Sequence, residues 1–386
     1  MPLIILILFT GILLTVRLRG LQIRHLGKAL HYVFHNEDDG EGEVTSFGAL
    51  CTALSATIGT GNIVGCATAI VAGGPGALFW MWLAAFFGMA TKYAEGMLAV
   101  KYRVIAEDGH ALGGPFYYIE KGMGKNFKWL AKLFCVFGTM VGLFGIGTFT
   151  QVNGITSAVN NFFDPSNVHT ISLFGMNYSI SVVVAGIIVT ICAGLVIIGG
   201  IKRISKVSEV IVPFMAVTYI GVCLIIVFTH LPQVPAAFAE IVQSAFGLKA
   251  VAGGAIGAMT VAMQKGIARG IFSNEAGLGS APIAAAAAQT NEPVRQGLVS
   301  MTGTFIDTII VCTMTGLAIV MTGAWDMGLE GVAVTTKAFA LGLPFPAKAS
   351  AFVLMMCLVF FAFTTILGWA YYLSLIHISE PTRPIS

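Results

Sequence analysis

Nine stretches of this chain are apolar for about as long as a helix needs to cross a lipid bilayer. They lie near residues 2–17, 46–72, 76–100, 129–160, 178–200, 207–229, 250–288, 297–322 and 348–372. A hydrocarbon core of about 30 Å takes about 20 such residues, and only helices or closed barrels satisfy their backbone polar groups at that depth. Runs of this length read as helices, and the chain is predicted to be an all-α polytopic membrane protein whose surroundings are a lipid bilayer.

Composition excludes the alternatives. Hydrophobic residues make up 56% of the sequence and charged residues 10%, with a mean hydropathy of +0.87. A soluble domain carries about 25% charged residues, and a water-facing surface cannot be built from so few. The 46 glycines show no G-X-Y period and read as close helix contacts and helix breaks. A net charge of +3, with no basic run interleaved with aromatics, gives no footprint for nucleic acid. All seven cysteines fall in apolar stretches without a Cys-x-x-Cys pair, so they read as small core hydrophobes and no cofactor is expected. The opening PLIILILFTGILLTV has no basic residue before it and no small-residue cleavage site after it; it reads as a first spanning helix rather than a removed signal.

The charges carry information through their positions. Lys and Arg gather in alternate connections: Arg17 to Lys28, Lys101 to Lys128, Lys202 to Lys206, and Arg295. Cytoplasmic loops hold that excess, which places the amino terminus outside and makes span 46–72 run outward. The connection 230–249 contains AAFAEIVQSAF, which reads either as a short amphipathic helix on the outer surface or as a plain loop. Within the spans, Gly138, Gly142 and Gly145 suit close helix packing. Lys92 and Glu95 stand at i, i+3 and read as a structural pair, while Asp307 is a further embedded charge. Glu275 reads as neutral, as paired with Lys265 or Arg269, or as lying at the inner boundary.

Two spans differ from the others. The second span contains SATIGTGNIVG (Ser55 to Gly65) and the seventh GIARGIFSNEAGLGSAP (Gly266 to Pro282), which put Gly, Ser, Thr and Asn at mid-membrane depth. An interrupted helix there must be buried in protein or face a watery cavity. The amide end of a half-helix suits a carboxylate and the freed carbonyls suit a dehydrated cation. From one break to the other is five spans, so the second runs in the opposite direction, as in an inverted repeat with its site between the corresponding helices. Within the breaks, the Thr60 and Gly61 backbone and the Asn62 amide are candidate substrate or ion contacts, Asn62 serving equally as a helix cap. Ser273 and Asn274 supply polar groups in the second, and Ile271 and Phe272 an apolar wall for a small side chain. Gln151 and Asn153 are amides within a span that face the bundle interior, with an outer-interface position equally open for Asn153.

GGPGALFWMWLAAFFG (Gly73 to Gly88), preceded by ATIGTGNIVG and followed by MATKYAEGMLAVKYR, resembles the diagnostic region of the alanine or glycine:cation symporter family, the sodium:alanine symporters. The likeness extends through FSNEAGLGSAP and GWAYY, over residues 1–372. It implies a leucine-transporter-like five-plus-five inverted repeat with one extra N-terminal helix: residues 1–44 the extra helix and a basic loop, 45–229 the first repeat, 230–372 part of the second. It also implies sodium-coupled uptake of alanine, glycine or a close relative across the cell membrane. On this resemblance Gln151 contacts substrate, and Thr364 and Thr365 give hydroxyls to a sodium ion whose shell is completed by carbonyls near Ile58 and Gly61. A Thr hydroxyl otherwise bonds back to its own helix. Trp369 caps the substrate cavity, or else marks the interface as aromatics do.

Other functions find less support. No His-Glu-x-x-His occurs and all seven histidines lie outside the apolar segments, against an intramembrane enzyme; no repeated filter loop suggests a channel. Proton coupling is the alternative within transporters. Beyond Tyr372 the sequence LSLIHISEPTRPIS leaves the family's pattern and reads as translated adapter sequence, so residues 373–386 are expected to be a non-native tail on a truncated second repeat that does not transport.

Overall fold

The computed structural model describes residues 2–35, 40–107, 110–145, 147–173, 175–248 and 254–378. Helix α1 (Pro2–Arg17) is followed by α2 (Leu26–Phe34), then by the bent pair α3 (Ser46–Thr57) and α4 (Gly61–Gly73), whose axes differ by 53°. Helix α5 (Gly76–Tyr102) runs 27 residues, about 40 Å at 1.5 Å per residue. Next come α6 (Lys128–Phe144), α7 (Phe149–Phe163), α8 (Ile180–Ile197) and α9 (Gly200–Thr229). The remainder is α10 (Val234–Ala245), α11 (Ala255–Asn274), the single turn α12 (Ala281–Ala285), α13 (Pro293–Met321), α14 (Val332–Gly342) and α15 (Ala347–Ile378). Among the described residues, sheet is confined to two short hairpins, Val104–Ile105 with Ala111–Leu112 and Thr170–Leu173 with Met176–Ser179.

Among the described residues, five helical stretches are long and apolar enough to cross a membrane, α6 and α7 counting together as one (Lys125–Phe163), and α3 with α4 makes a sixth. The other expected spans fall short for visible reasons. Helix α1 has 16 residues, α5 carries Lys92, Glu95 and Lys101, and α11 carries Gln264, Lys265 and Arg269 among its 20 residues.

Helix α5 is the central strut, lying between α11 and α13 with α1 and α10 on its flanks. Small residues permit this. A Cβ at Gly266 of α11 would collide with the Ala77 carbonyl, and one at Gly297 of α13 would stand 2.7 Å from the Tyr93 carbonyl, so backbone meets backbone. Helix α15 lies against α3, α6, α7 and α9. Away from these contacts the apolar side chains point outward: Val184, Ile187, Ile188 and Ile191 of α8, and Phe137, Met140 and Phe144 of α6, are exposed, as lipid-facing residues must be. The chain is therefore an all-α multi-pass membrane protein.

Three expected boundaries change. The 129–160 span is two helices, broken after Phe144; Gly138 and Gly142 do pack, on Ile376 and Leu373 of α15, while Gly145 is the cap at the break. Helix α9 begins at Gly200, so Lys202, Arg203 and Lys206 ride on its first turns and the connection from α8 is two residues. The 230–249 connection is indeed helical: α10 buries Ala237, Ile241 and Ala245, and the Trp80 indole N–H donates to the Ala245 carbonyl at 3.1 Å. Helix α15 continues without interruption through Ile378, with Ile376 buried.

Candidate functional site: two interrupted helices and the groups between them

Helix α3 ends at Ile58, which leaves helical geometry immediately before Gly59. Ile58 takes φ −77° and ψ 92° while its N–H still reaches the Leu54 carbonyl. The groups this frees are each met by a side chain. The Gly59 N–H donates to Asn62 Oδ1 at 3.0 Å, and the Thr60 N–H donates to Gln151 Oε1 at 3.2 Å. The Ile58 carbonyl accepts from the Thr365 hydroxyl at 3.3 Å. Unmet backbone groups at this depth would cost several kcal/mol each, so α7 and α15 are bound to the first break by its own chemistry. Gly59 is pressed between them: a Cβ there would collide with Thr365 Oγ1 and stand 3.2 Å from Gln151 Oε1.

The second break starts at Glu275, whose φ of 53° ends α11 in the left-handed region. Asn274 stitches the turn. Its Oδ1 accepts the Ala276 N–H at 3.0 Å and its Nδ2 donates to Thr308 Oγ1 at 3.1 Å. The Lys92 ammonium donates to the Asn274 carbonyl at 2.9 Å, a cation at the negative end of a helix. Glu95 accepts the Gly279 N–H at 3.1 Å, and the Ser280 hydroxyl donates to Glu275. Lys92 and Glu95 therefore each bind the second break rather than forming an ion pair with one another, and Glu275 is held by Ser280, not by Lys265 or Arg269.

Asp307 joins the two breaks. It lies fully buried on α13, where the helix widens to π turns over Phe305–Cys312. Its Oδ1 accepts from Asn62 Nδ2 at 2.8 Å, and its Oδ2 accepts from Ser273 Oγ at 3.0 Å and Thr308 Oγ1 at 2.7 Å. The Asn62 amide also reaches the Asp307 carbonyl at 3.1 Å. Gly61 completes the contact, since a Cβ there would stand 3.9 Å from Ser273 Cα.

The expected residues divide accordingly. Thr60, Gly61, Asn62, Gln151, Ser273, Asn274, Ile58 and Thr365 converge on the two breaks through the bonds above. Thr364 turns its hydroxyl to the Phe360 and Phe361 carbonyls, at 3.1 and 3.0 Å, the self-bonding that a lone Thr favours. Ile271 packs into a cluster with Ala84, Ile267, Ile4, Ile7 and Trp80, on the flank toward α5 and α1. Phe272 lies under the Arg269 guanidinium, 4.9 Å from carbon to ring centroid, beside a cavity of about 280 Å³ bounded by Thr68, Lys265 and Arg269. Trp369 is buried against Gly147 and stacks edge-on with Tyr372. Asn153 is exposed while Gln151 is buried.

The sequence signal for Asp307 is an acid inside an otherwise apolar span, but its partners are invisible there, because they come from helices 245 and 34 residues away. Lys92 has the same character.

Two interrupted helices that meet through Asn62, Ser273 and Asp307 inside a multi-pass bundle, with their backbone groups tied to buried polar side chains, have the form of a membrane transporter's binding site. The family model of the sodium:alanine symporter family matches residues 1–376, and the chain belongs to that family. Among relatives, an uncharacterized transporter of Haemophilus influenzae is 58% identical, covering 96% of this chain and 78% of its own. The sodium/alanine symporter AgcS of Methanococcus maripaludis is 46% identical with the same coverage. The probable sodium/glutamine symporter GlnT of Bacillus subtilis is 40% identical, over 96% of this chain and 73% of its own. The protein is a transporter and not an enzyme.

Proposed function

We propose that the protein takes up a small amino acid of the alanine or glycine class across the cell membrane together with sodium, by alternating access, with its amino terminus outside. The observation that carries this reading is the junction of the two breaks. Thr60, Gly61 and Asn62 present the amide start of α4, which suits the substrate carboxylate. Ser273 and Asn274 present the opposing end of α11, and Gln151 and Trp369 close the space from α7 and α15. Ile271 and Phe272 are the adjoining apolar residues of the α11 end, Ile271 packed toward α5 and α1 and Phe272 under Arg269. Sodium lies at the Ile58 carbonyl and the Thr365 hydroxyl, with the Gly61 carbonyl and the Thr364 hydroxyl as further oxygens; a hard cation takes such an all-oxygen shell.

The reading assigns residues 45–229 to a first repeat and 230–372 to part of a second in a leucine-transporter-like arrangement. Its support is that each unit contains one interrupted helix, α3 with α4 in the first and α11 with α12 in the second. The relative called a sodium/glutamine symporter sets the main competing substrate. Proton coupling is the other competitor, because Asp307, Glu95 and Glu275 are buried carboxylates beside the breaks.

The test is uptake of labelled alanine, glycine and glutamine into liposomes carrying the protein, with an inward sodium gradient, an inward proton gradient, or neither. Sodium-driven accumulation of alanine or glycine is the expected result. Equal uptake with and without sodium overturns the coupling.

A further inference from the structure

The chain segments that lead to the two breaks are tied to each other on the face where α3 begins. The Glu43 and Val44 N–H groups both donate to the Ala287 carbonyl, at 2.9 and 3.2 Å, and the Gln289 N–H returns a bond to the Val44 carbonyl at 2.7 Å. The Thr290 N–H reaches the Glu41 carbonyl at 3.1 Å, and the Glu41 N–H reaches Asn291 Oδ1 at 3.2 Å. Val44 and Ala288 thus form a parallel bridge.

Arg103, the residue after α5, clasps this zip from the side. Its Nη1 donates to the Ala286 and Ala288 carbonyls at 2.9 and 2.7 Å, and its Nη2 to the Glu41 and Thr290 carbonyls at 2.6 and 2.7 Å. The planar fork of a guanidinium can serve four carbonyls at once, which an ammonium cannot. Steric fit adds to it. A Cβ at Gly40 would stand 2.7 Å from the backbone of Thr290, and Gly42, at φ +143°, lies against the Ala288 carbonyl.

The position of this zip gives it a consequence. Residues 41–45 run directly into α3, and residues 286–290 follow directly from α12. Both half-helices lie on the same side of the breaks, so a site between the breaks cannot open to that face while their ends are bonded together. A transporter that rocks around a fixed site must release such a contact once per cycle.

We propose that Arg103 is a positioning residue that latches this face shut, holding together the approaches to the two broken helices through four backbone carbonyls. The latch rests on the transporter reading above. If ion binding at the first break favours the closed arrangement, the latch and the ion favour each other reciprocally.

The experiment is hydrogen–deuterium exchange of the purified protein in lipid nanodiscs, across a sodium titration, comparing wild type with Arg103→Gln and Arg103→Lys. The variant Gly42→Ala, which attacks the zip without touching Arg103, is the independent second one. The expected result is that segments 41–45 and 286–290 exchange together, at least roughly tenfold faster in Arg103→Gln and Gly42→Ala and by less in Arg103→Lys, while α9 keeps its wild-type rate. In these variants more sodium, on the order of five- to tenfold, is needed to restore protection. Unchanged exchange, a change in one segment alone, or faster exchange throughout the molecule each overturns the latch. Raised exchange with an unaltered sodium midpoint also overturns it, since that is a structural staple and no more. If sodium alters exchange in no variant and not in wild type, the sodium reading falls, and the sodium-free comparison of variants with wild type decides the latch.

Discussion

Asn62 and Asp307 stand 245 residues apart and are joined by the Asn62 amide donating to the Asp307 carboxylate at 2.8 Å and to its carbonyl at 3.1 Å. The bond puts the cap of the first break on the helix that supports the second, and Ser273 on the other carboxylate oxygen closes the connection. A movement at one break therefore has a rigid path to the other.

Asp307→Ala leaves the Asn62 amide and the Ser273 and Thr308 hydroxyls buried without this acceptor, at about 1–3 kcal/mol for each unsatisfied group. The expected outcome is a lowered melting temperature together with loss of uptake. Asp307→Asn keeps the shape and one acceptor oxygen, so it retains more stability than the alanine variant while uptake falls. Thermal unfolding in detergent and uptake in liposomes check both; a fully active Asp307→Ala protein contradicts the junction.

The two adjacent threonines of α15 are expected to behave differently. Thr365 has the Phe361 carbonyl of its own helix at 3.0 Å and also reaches the Ile58 carbonyl of the first break at 3.3 Å, whereas the two carbonyls within reach of Thr364 both belong to its own helix. Thr365→Val raises the sodium concentration for half-maximal uptake by about tenfold or more, the scale of one lost oxygen ligand at about 1.4 kcal/mol. Thr365→Ser preserves it, and Thr364→Val has the smaller effect. Equal shifts in the two valine variants contradict this geometry.

Lys92 is almost wholly buried, and its ammonium donates to the Asn274 carbonyl at 2.9 Å. Lys92→Met removes that donor and leaves the buried Asn274 carbonyl without it, at about 1–3 kcal/mol. Unfolding by denaturant checks the loss, and an unchanged midpoint contradicts the role of this bond.

Asp164 lies outside the membrane-spanning segments, at the end of α7. The bond its carboxylate accepts from the Val168 N–H, joined by those from the His169 N–H and the Ser179 hydroxyl, holds its pKa below the usual carboxylate range. A group whose pKa is lowered by folding stabilises the fold above the unfolded value, about 3.9 for Asp. That contribution is lost as pH falls through the lower folded value. Amide exchange at Val168 and His169, corrected for its intrinsic pH dependence, is expected to quicken across that window. Asp164→Asn abolishes the response, and a flat wild-type profile contradicts it.

Much of this molecule is determined by sequence alone. Length and continuity of apolar runs set the membrane class, because hydrocarbon admits so few backbone solutions. The two polar clusters at Ser55–Gly65 and Gly266–Pro282 mark the breaks, since consecutive polar residues at that depth have no packing rationale. Tertiary structure decided what the sequence left open. Gln151 faces inward and Asn153 outward, Thr365 crosses to the break while Thr364 does not, and Lys92, Glu95 and Asp307 serve the breaks rather than each other. These choices depend on which helix faces which. That in turn depends on close backbone approaches at Gly266 and Gly297 and on long-range bonds, and a local pattern of residues encodes the need for a partner but not its identity.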